Sequence, residues 1–125
     1  MIYKQFDVVA IPFPFTDLNA DKRRPALVLS TESFNNRSGN CVLAMITSQD
    51  NPDWPLDTQI GSILKAGLKA PSKVRMKLFT LDSRLIVRRL GGLSSKDRQA
   101  VTMALSLQRN VNNIINIHQL LSPMR

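Results

Sequence analysis

Short apolar runs separated by polar stretches dominate the chain as far as Leu90, and this pattern predicts a mostly β structure. The runs are rich in strand-forming residues and are bounded by proline, glycine or polar residues, which is typical of strands. In chain order, the predicted strands are Asp7 to Phe13, a strand that begins at Pro25 and contains Ala26 to Leu29, Cys41 to Ile46, Leu56 to Ile60, Ser72 to Leu81, and Leu85 to Leu90, which Gly91-Gly92 breaks.

Alternation along the first strand puts Val9, Ile11 and Phe13 on one face. Pro12 and Pro14 restrict backbone pairing, so this strand is expected to fray or to lie at an edge near its end. The stretch from Asn35 to Asn40 is rich in turn residues, which predicts an exposed turn.

From Ser94 onward the apolar period becomes that of a helix. Ser94 is a good N-cap, and Asp97 stands near the positive end of the helix dipole. One apolar stripe is expected to cover the sheet, and it contains Val101, Ala104, Leu105, Val111, Ile114, Ile115 and Leu121.

A chain of 125 residues without a repeat or linker predicts a single domain over residues 1–125. The one cysteine, Cys41, lies in an apolar run, so we expect a small buried core residue in a reducing compartment. The sequence shows neither a secretory leader nor an apolar run long enough for a membrane helix. We therefore expect a cytoplasmic protein with no membrane partner.

The chain is strongly basic, with 17 Lys and Arg against nine Asp and Glu and a net charge of +8. This balance favours a polyanionic partner, either nucleic acid or an acidic protein. Lys73, Arg75 and Lys77 alternate with apolar residues, so a strand would turn the three cations to one face and Val74, Met76 and Leu78 to the core. The alternative is an ordinary strand whose solvent face is basic.

The stretch from Ile11 to Ser30 is the strongest candidate site. Its polar middle is expected to be a loop that delivers Lys22, Arg23 and Arg24 to the mouth of the sheet, where an anion is held. Pro25 restricts the backbone of Arg24. A solvated basic turn is the alternative interpretation.

Thr47 and Ser48 form a hydroxyl pair at the end of a predicted strand, suited to donating to a phosphate, although Thr is also a common strand residue. Trp54 is expected to be a base-stacking platform, a partner contact or a cap on the fold. One Cys, one His and scattered carboxylates provide no metal-ligand cluster at recognisable spacing and no histidine pair, so we expect no metal and no cofactor. His118 more often packs or is solvated than catalyses.

Several segments in order resemble the MazF/PemK family of toxins from toxin–antitoxin pairs. They are Asp7-Val8-Val9, PFPFTD, KRRPALVLS, Ile46-Thr47-Ser48, SKVRMKLFTLD and RLIVRRLGGLS. The resemblance implies a mainly β (α+β) fold, a small SH3-like barrel of the MazF type with a C-terminal helix. It also implies a homodimer that cuts RNA.

The resemblance further implies that Arg24 and Thr47 are the catalytic pair. Ser48 and Arg75 match positions that grip RNA or assist proton transfer, and the other RNA contacts that we expect are Phe15, Asp17, Lys22, Arg23, Lys73 and Lys77. The chain departs from the family at Phe6, where a glycine is usual, and at Lys77, where many relatives carry an acid. The general base is therefore unassigned, with Asp17 the first candidate and Asp82 the second.

These features predict a sequence-selective, metal-independent endoribonuclease that cleaves single-stranded RNA to 2′,3′-cyclic phosphate and 5′-hydroxyl ends, inhibited by an acidic cognate antitoxin. Two alternatives are a gyrase-poisoning toxin of the same fold and a non-catalytic RNA-binding module. The gyrase poisons act through a terminal Trp-Gly-Ile, whereas this chain ends Ser-Pro-Met-Arg and has its one tryptophan at Trp54.

Overall fold

Six antiparallel strands form one curled sheet, a half-barrel, in the computed structural model of the protein, which describes residues 2–13 and 22–107. The strands are β1 (Asp7–Phe13), β2 (Lys22–Val28), β3 (Asn40–Ser48), β4 (Thr58–Gln59), β5 (Ser72–Asp82) and β6 (Arg88–Gly92), in the spatial order β4-β5-β3-β2-β1-β6. Helix α1 (Glu32–Ser38) connects β2 to β3, and a 3₁₀ turn (Ser83–Leu85) follows β5. A C-terminal helix, α2, covers residues 95–107 of the described chain. The predicted mainly β fold with a C-terminal helix is therefore confirmed.

Each face of the sheet carries its own buried cluster. Ala44 and Ile46 of β3 belong to the larger cluster, which α2 covers with Val101 and Ala104. The second cluster lies on the other face and includes Cys41 and Leu43 of β3, together with Val9, Ile11, Ala26, Val28 and Leu81 from neighbouring strands. Because successive strand residues point to opposite faces, the apolar runs of β1 and β2 are buried on both sides.

The start of α2 follows the predicted capping pattern. The amide of Asp97 donates to Ser94 Oγ at 3.2 Å, so Ser94 is the N-cap. The Asp97 carboxylate in turn accepts hydrogen bonds from the backbone amides of Gly61 at 2.9 Å and Ser62 at 3.0 Å. These bonds tie the helix to the segment that follows β4. The later positions of the predicted stripe, and His118, lie outside the described residues. Within those residues, no helix is long and apolar enough to cross a membrane.

Two sequence predictions about the first half of the chain are wrong. Strand β2 begins at Lys22, not at Pro25, because residues 22–24 pair with Phe13, Pro12 and Ile11 of β1. The predicted exposed turn at Asn35 to Asn40 is mostly helix: α1 starts at the N-cap Thr31 and ends at Gly39, whose φ of 72° suits glycine. Asn35 is buried and donates to the carbonyl of Tyr3 at 2.9 Å.

The end of β1 agrees with the prediction from the sequence, whereas the end of β6 does not. Pairing with β6 reaches only Ala10, so the end of β1 lies at an edge on that side, as predicted. Gly91-Gly92 does not break β6 but belongs to it. A Cβ at Gly91 would lie 2.4 Å from the carbonyl oxygen of Lys65, so glycine lets residues 65–66 approach the strand closely.

Candidate nucleic-acid interface

One face of the sheet carries both side chains that the sequence proposed as the catalytic pair; we call it the Arg24 face. Strand alternation puts Arg24 on the same face as Ala26 and Val28, and Thr47 on the same face as Leu43. The last paired residues of β2 and β3 in this direction are Ala26 and Met45. If the same register is continued by two residues, Arg24 stands opposite Thr47.

Arg24 contacts the aromatic ring of Phe13 at the end of β1. Its guanidinium carbon lies 4.9 Å from the centroid of Phe13, within the range of a cation–π contact. Phe13 lies on the same face of β1 as Val9 and Ile11, as predicted, and its side chain is exposed at the end of the strand. Phe13 is two residues from Ile11, which pairs with Arg24, so the β1–β2 register brings the Phe13 ring next to the Arg24 side chain.

Thr47 is half-buried near the end of β3, and its hydroxyl oxygen accepts a hydrogen bond from the side-chain amide of Asn51. The backbone amide of Asn51 donates to the Ser48 carbonyl at 3.1 Å, which closes a tight turn after the strand. Ser48 projects from the opposite face of β3. Its hydroxyl accepts the amide of Asp50 at 3.2 Å, so it serves the turn and does not stand beside Thr47.

Lys73 is not on a solvent-facing basic surface, and that prediction is wrong. Its side chain is only 6% exposed. The ammonium donates to the backbone carbonyl of Asn51 at 2.7 Å and to Asp53 at 3.2 Å, and it lies 3.4 Å from Asp57. The loop of residues 51–57, which we call the β3–β4 loop, folds over this part of the Arg24 face and buries the cation.

Arg75 closes the same loop with a bidentate ion pair, so it too is removed from the predicted open surface. Its Nε and Nη2 donate to the two carboxylate oxygens of Asp57 at 3.2 and 2.9 Å, and Nη2 also donates to the Pro52 carbonyl at 2.6 Å. Burial acts to raise the pKa of Asp57, but the hydrogen bonds from Arg75, the Trp54 amide and Lys73 together hold this pKa below its ordinary value.

Lys77 and Trp54 form the exposed part of this surface. The Lys77 ammonium lies 4.4 Å from the centroid of the Trp54 ring, and the guanidinium of Arg75 lies 5.9 Å from it. Trp54 thus presents an exposed aromatic ring flanked by cations. Met76 is buried as predicted, but Leu78 is exposed. The β3–β5 register shifts between Ala44, which pairs with Leu78, and Met45, which pairs with Arg75, and alternation alone does not reveal this bulge.

The comparisons with known proteins agree with this architecture. A family model described as PemK-like, MazF-like toxin of type II toxin–antitoxin system matches residues 4–108. The chain belongs to this toxin family. A comparison with curated proteins gave no significant match.

Solved structures of MazF toxins have the same fold as this family member. A MazE–MazF complex from Deinococcus radiodurans is 20% identical, with a TM-score of 0.68, and the match covers 86% of this chain and 95% of that one. The Mycobacterium tuberculosis toxin MazF-mt6 is 21% identical, with a TM-score of 0.66 and coverage of 83% and 96%. An endoribonuclease in complex with its cognate antitoxin from a Mycobacterial species is 16% identical, with a TM-score of 0.64 and coverage of 85% and 91%. At these identities the likeness establishes the fold.

The fold removes Asp82 as a candidate general base in this toxin. Asp82 pairs with Asn40 at one end of β3, whereas Thr47 pairs with Lys73 at the other, roughly 23 Å away at the rise of a strand. The side chain of Arg84 lowers the pKa of Asp82 to about 2, so this carboxylate is a poor proton acceptor. The first candidate, Asp17, and the predicted contact Phe15 lie outside the described residues.

The three consecutive cations of β2 are divided between the two faces of the sheet. Lys22 and Arg24 share the Arg24 face, whereas Arg23 projects from the other. Arg23 lines a cavity of about 420 Å³ together with Lys69, Arg88 and Leu68, and Arg24 also borders this cavity. A basic turn read from the sequence as one cluster is therefore two basic surfaces. Nothing in the pattern KRR separates them unless the strand is known to begin at Lys22.

Metal-ligating side chains are scattered in the part of the chain that the structure describes. No group of three or more His, Cys, Asp or Glu residues there is arranged to hold a metal ion. The chemical groups that this toxin assembles on the Arg24 face are instead a guanidinium, a hydroxyl, an amide and an exposed indole ring.

Proposed function

We propose that the protein is a toxin that cleaves single-stranded RNA as a metal-independent endoribonuclease, leaving 2′,3′-cyclic phosphate and 5′-hydroxyl ends. The observation that carries this proposal is that strand alternation puts Arg24 and Thr47 on the same face of two adjacent strands, β2 and β3. Membership of the MazF-like toxin family supports it, since the segments that resemble this family include both residues.

RNA can be cleaved without a metal because its own 2′-hydroxyl attacks the neighbouring phosphorus. The enzyme then removes the 2′ proton, stabilises the added negative charge on the phosphoryl oxygens and protonates the departing 5′ oxygen. Arg24 suits the charge-stabilising role because its planar fork stays charged and donates two hydrogen bonds to phosphate oxygens. Thr47 adds a neutral donor beside it. Asp17, in the PFTD segment, is the first candidate for the general base.

Other contacts with RNA follow from exposure and charge. Lys22 and Lys77 are exposed cations on the Arg24 face, suited to the phosphates on either side of the cleaved bond. Lys73 and Arg75 are engaged by Asp57, so we assign them the support of the β3–β4 loop in addition to the RNA contacts expected from the sequence. Phe15, Asp17, Arg23 and Ser48 complete the proposed RNA-binding set.

We further propose that the protein works as a cytoplasmic homodimer and is inhibited by an acidic cognate antitoxin. Among the similar structures are complexes of MazF toxins with MazE and of an endoribonuclease with its cognate antitoxin. A disordered acidic segment is a natural ligand for the exposed cations of the Arg24 face. Antitoxin and labelled non-cleavable RNA should compete in a titration, and light scattering should give about twice 14.0 kDa.

The test of the enzymatic proposal is incubation of purified protein with RNA in the presence of a chelator, followed by analysis of the product ends. Arg24→Ala should lower the rate on the order of 100- to 1,000-fold, because it removes a charged donor to the transition state. Arg37→Ala is the matched control, since Arg37 is an exposed arginine of α1.

A 5′-phosphate product, or cleavage that requires a divalent ion, would refute the mechanism. Equal activity of the Arg24 and Arg37 variants would refute the site. RNA binding without cleavage products would favour the alternative of a non-catalytic RNA-binding module. Inhibition of gyrase in a supercoiling assay by protein that leaves RNA whole would favour the gyrase-poisoning alternative.

A further inference from the structure

Asn51 makes a contact with the proposed catalytic threonine that the sequence did not suggest. Its side-chain amide nitrogen donates to Thr47 Oγ1. A hydroxyl group has one hydrogen to donate and two lone pairs to accept with. When the amide occupies a lone pair, the hydrogen of Thr47 remains available for an acceptor. A phosphoryl oxygen carries only lone pairs, so a correctly directed Thr47 hydroxyl must donate to it.

Asn51 is itself held by two hydrogen bonds of its own backbone groups. Its backbone amide donates to the Ser48 carbonyl at 3.1 Å, and its backbone carbonyl accepts from the Lys73 ammonium at 2.7 Å. Lys73 is buried and is held from the other side by Asp57, whose side chain is 8% exposed. A continuous set of contacts thus runs from the Asp57 carboxylate through Lys73 and Asn51 to the hydroxyl of Thr47.

We infer that Asn51 is a positioning residue, which directs the Thr47 hydroxyl hydrogen toward the scissile phosphate, and that buried Lys73 holds Asn51 in place for this task. This inference rests on the proposed function, since it assumes that Thr47 donates to the substrate. It gives Lys73 a role in RNA cleavage that acts through the β3–β4 loop.

The decisive variant is Asn51→Asp, which keeps the shape of the side chain but replaces the amide donor with carboxylate oxygens. The carboxylate accepts the Thr47 hydrogen and turns it away from the phosphate. We expect kcat at neutral pH to fall on the order of 10- to 100-fold, the range for losing one hydrogen bond to a charged group. Asn51→Ala should lose less, because it frees the hydroxyl to rotate without reversing it. Asn36→Asp, at an exposed asparagine of α1, is the control for the added charge.

Two readouts separate positioning from a merely structural role. The Asn51→Asp deficit should shrink at acidic pH, because the introduced carboxyl becomes a donor again when it is protonated. In a Thr47→Val background, Asn51→Asp should have no further effect on single-turnover rate, since the hydroxyl it acts on is gone. Circular dichroism of every variant checks that the fold is retained.

The failures are distinguishable. If Thr47→Val cleaves RNA at the normal rate, Thr47 is not a donor, and the inference falls together with that part of the proposed site. If Thr47→Val is impaired while Asn51→Asp is fully active, or if the Asn51→Asp deficit persists undiminished in the Thr47→Val background, the proposed site stands and the positioning role of Asn51 is overturned.

Discussion

The ion pairs under the β3–β4 loop predict that Asp57→Asn will be strongly destabilising. The carboxylate serves two cations, with the Arg75 Nη2 at 2.9 Å and the Lys73 Nζ at 3.4 Å, and it also accepts the Trp54 amide at 2.9 Å. Without that charge, Lys73, whose side chain is 6% exposed, keeps Asp53 as its one carboxylate partner among the described residues, and Asp53 is 98% exposed. Leaving a buried charge without its partner is costly because the interior solvates ions poorly.

The size of the expected loss of stability depends on the contacts that Lys73 keeps in the variant. Removing one partner of a fully buried pair typically costs 3–5 kcal/mol, and here Asp53 and the Asn51 carbonyl still contact Lys73. We therefore expect Asp57→Asn to lower the free energy of unfolding by about 2–4 kcal/mol. With an ordinary urea m-value, the midpoint of unfolding should fall by about 1–2 M. The matched control is Asp82→Asn, which breaks the Asp82–Arg84 pair, 37% and 89% exposed, and should hardly move the midpoint.

The same comparison has a defined pH dependence. Because the folded chain holds the pKa of Asp57 below its ordinary value of 3.8, the carboxylate contributes stability at pH values above 3.8 and loses that contribution as the pH falls through the folded-state pKa. The difference between the wild-type protein and Asp57→Asn should therefore be full at neutral pH and should vanish in strong acid. A midpoint for Asp57→Asn equal to that of Asp82→Asn at pH 7, or a difference that grows on acidification, would refute this account of the loop.

Three further predictions concern the scaffold. The thiol of Cys41 should react with a disulfide reagent only at the rate of unfolding, because the side chain is buried and burial raises its pKa, a shift that its contact with Ser83 only partly opposes; rapid labelling of the folded protein would contradict this. Gly91→Ala should destabilise the protein far more than Gly39→Ala, measured by urea unfolding. A Cβ at Gly91 would lie 2.4 Å from a backbone oxygen, whereas a Cβ at Gly39 would meet nothing within 4 Å, so Gly39→Ala costs only about 1 kcal/mol of left-handed backbone strain. Asn35→Ala should cost about 1–3 kcal/mol in the same assay because it leaves the Tyr3 carbonyl without its donor, and an unchanged midpoint would show that water replaces the amide.

The strands that the sequence predicted well are those whose apolar runs face a buried cluster. The runs around Val9, Ala26 and Leu43 are buried on both sides of the sheet, so hydrophobicity alone identifies them. The start of α2 was also predictable, because Ser94 caps it through a local contact with Asp97. In both cases the stabilising interaction is local or depends only on the period of the pattern.

The features that the sequence did not reveal depend on contacts between distant parts of the chain. Helix α1 has seven residues and no apolar stripe, and its one buried side chain, Asn35, bonds to Tyr3 far away in sequence. The loop that buries Lys73 and Arg75 is held by Asp57, which lies 16 and 18 residues before them. No periodic signal links an acid in a loop to cations in a later strand, so their alternation resembled an exposed basic surface.

Acids used in internal ion pairs leave Lys22 and Arg24 among the cations that carry the net charge of +8. Asp7 pairs with Arg89, Asp57 with Lys73 and Arg75, and Asp82 with Arg84, so several of the described carboxylates are committed to structural ion pairs. Lys22 and Arg24 form no ion pair with any carboxylate in residues 2–13 and 22–107, and both are exposed to solvent where β1 ends and β2 begins. An anionic ligand bound there interacts with exposed cations, and salt screens that attraction. The ion pairs under the β3–β4 loop are buried, so salt screens them much less. Added salt should therefore weaken RNA binding steeply while leaving the urea midpoint of the protein nearly unchanged, and parallel losses of affinity and stability would show that the two sets of charges are not separate.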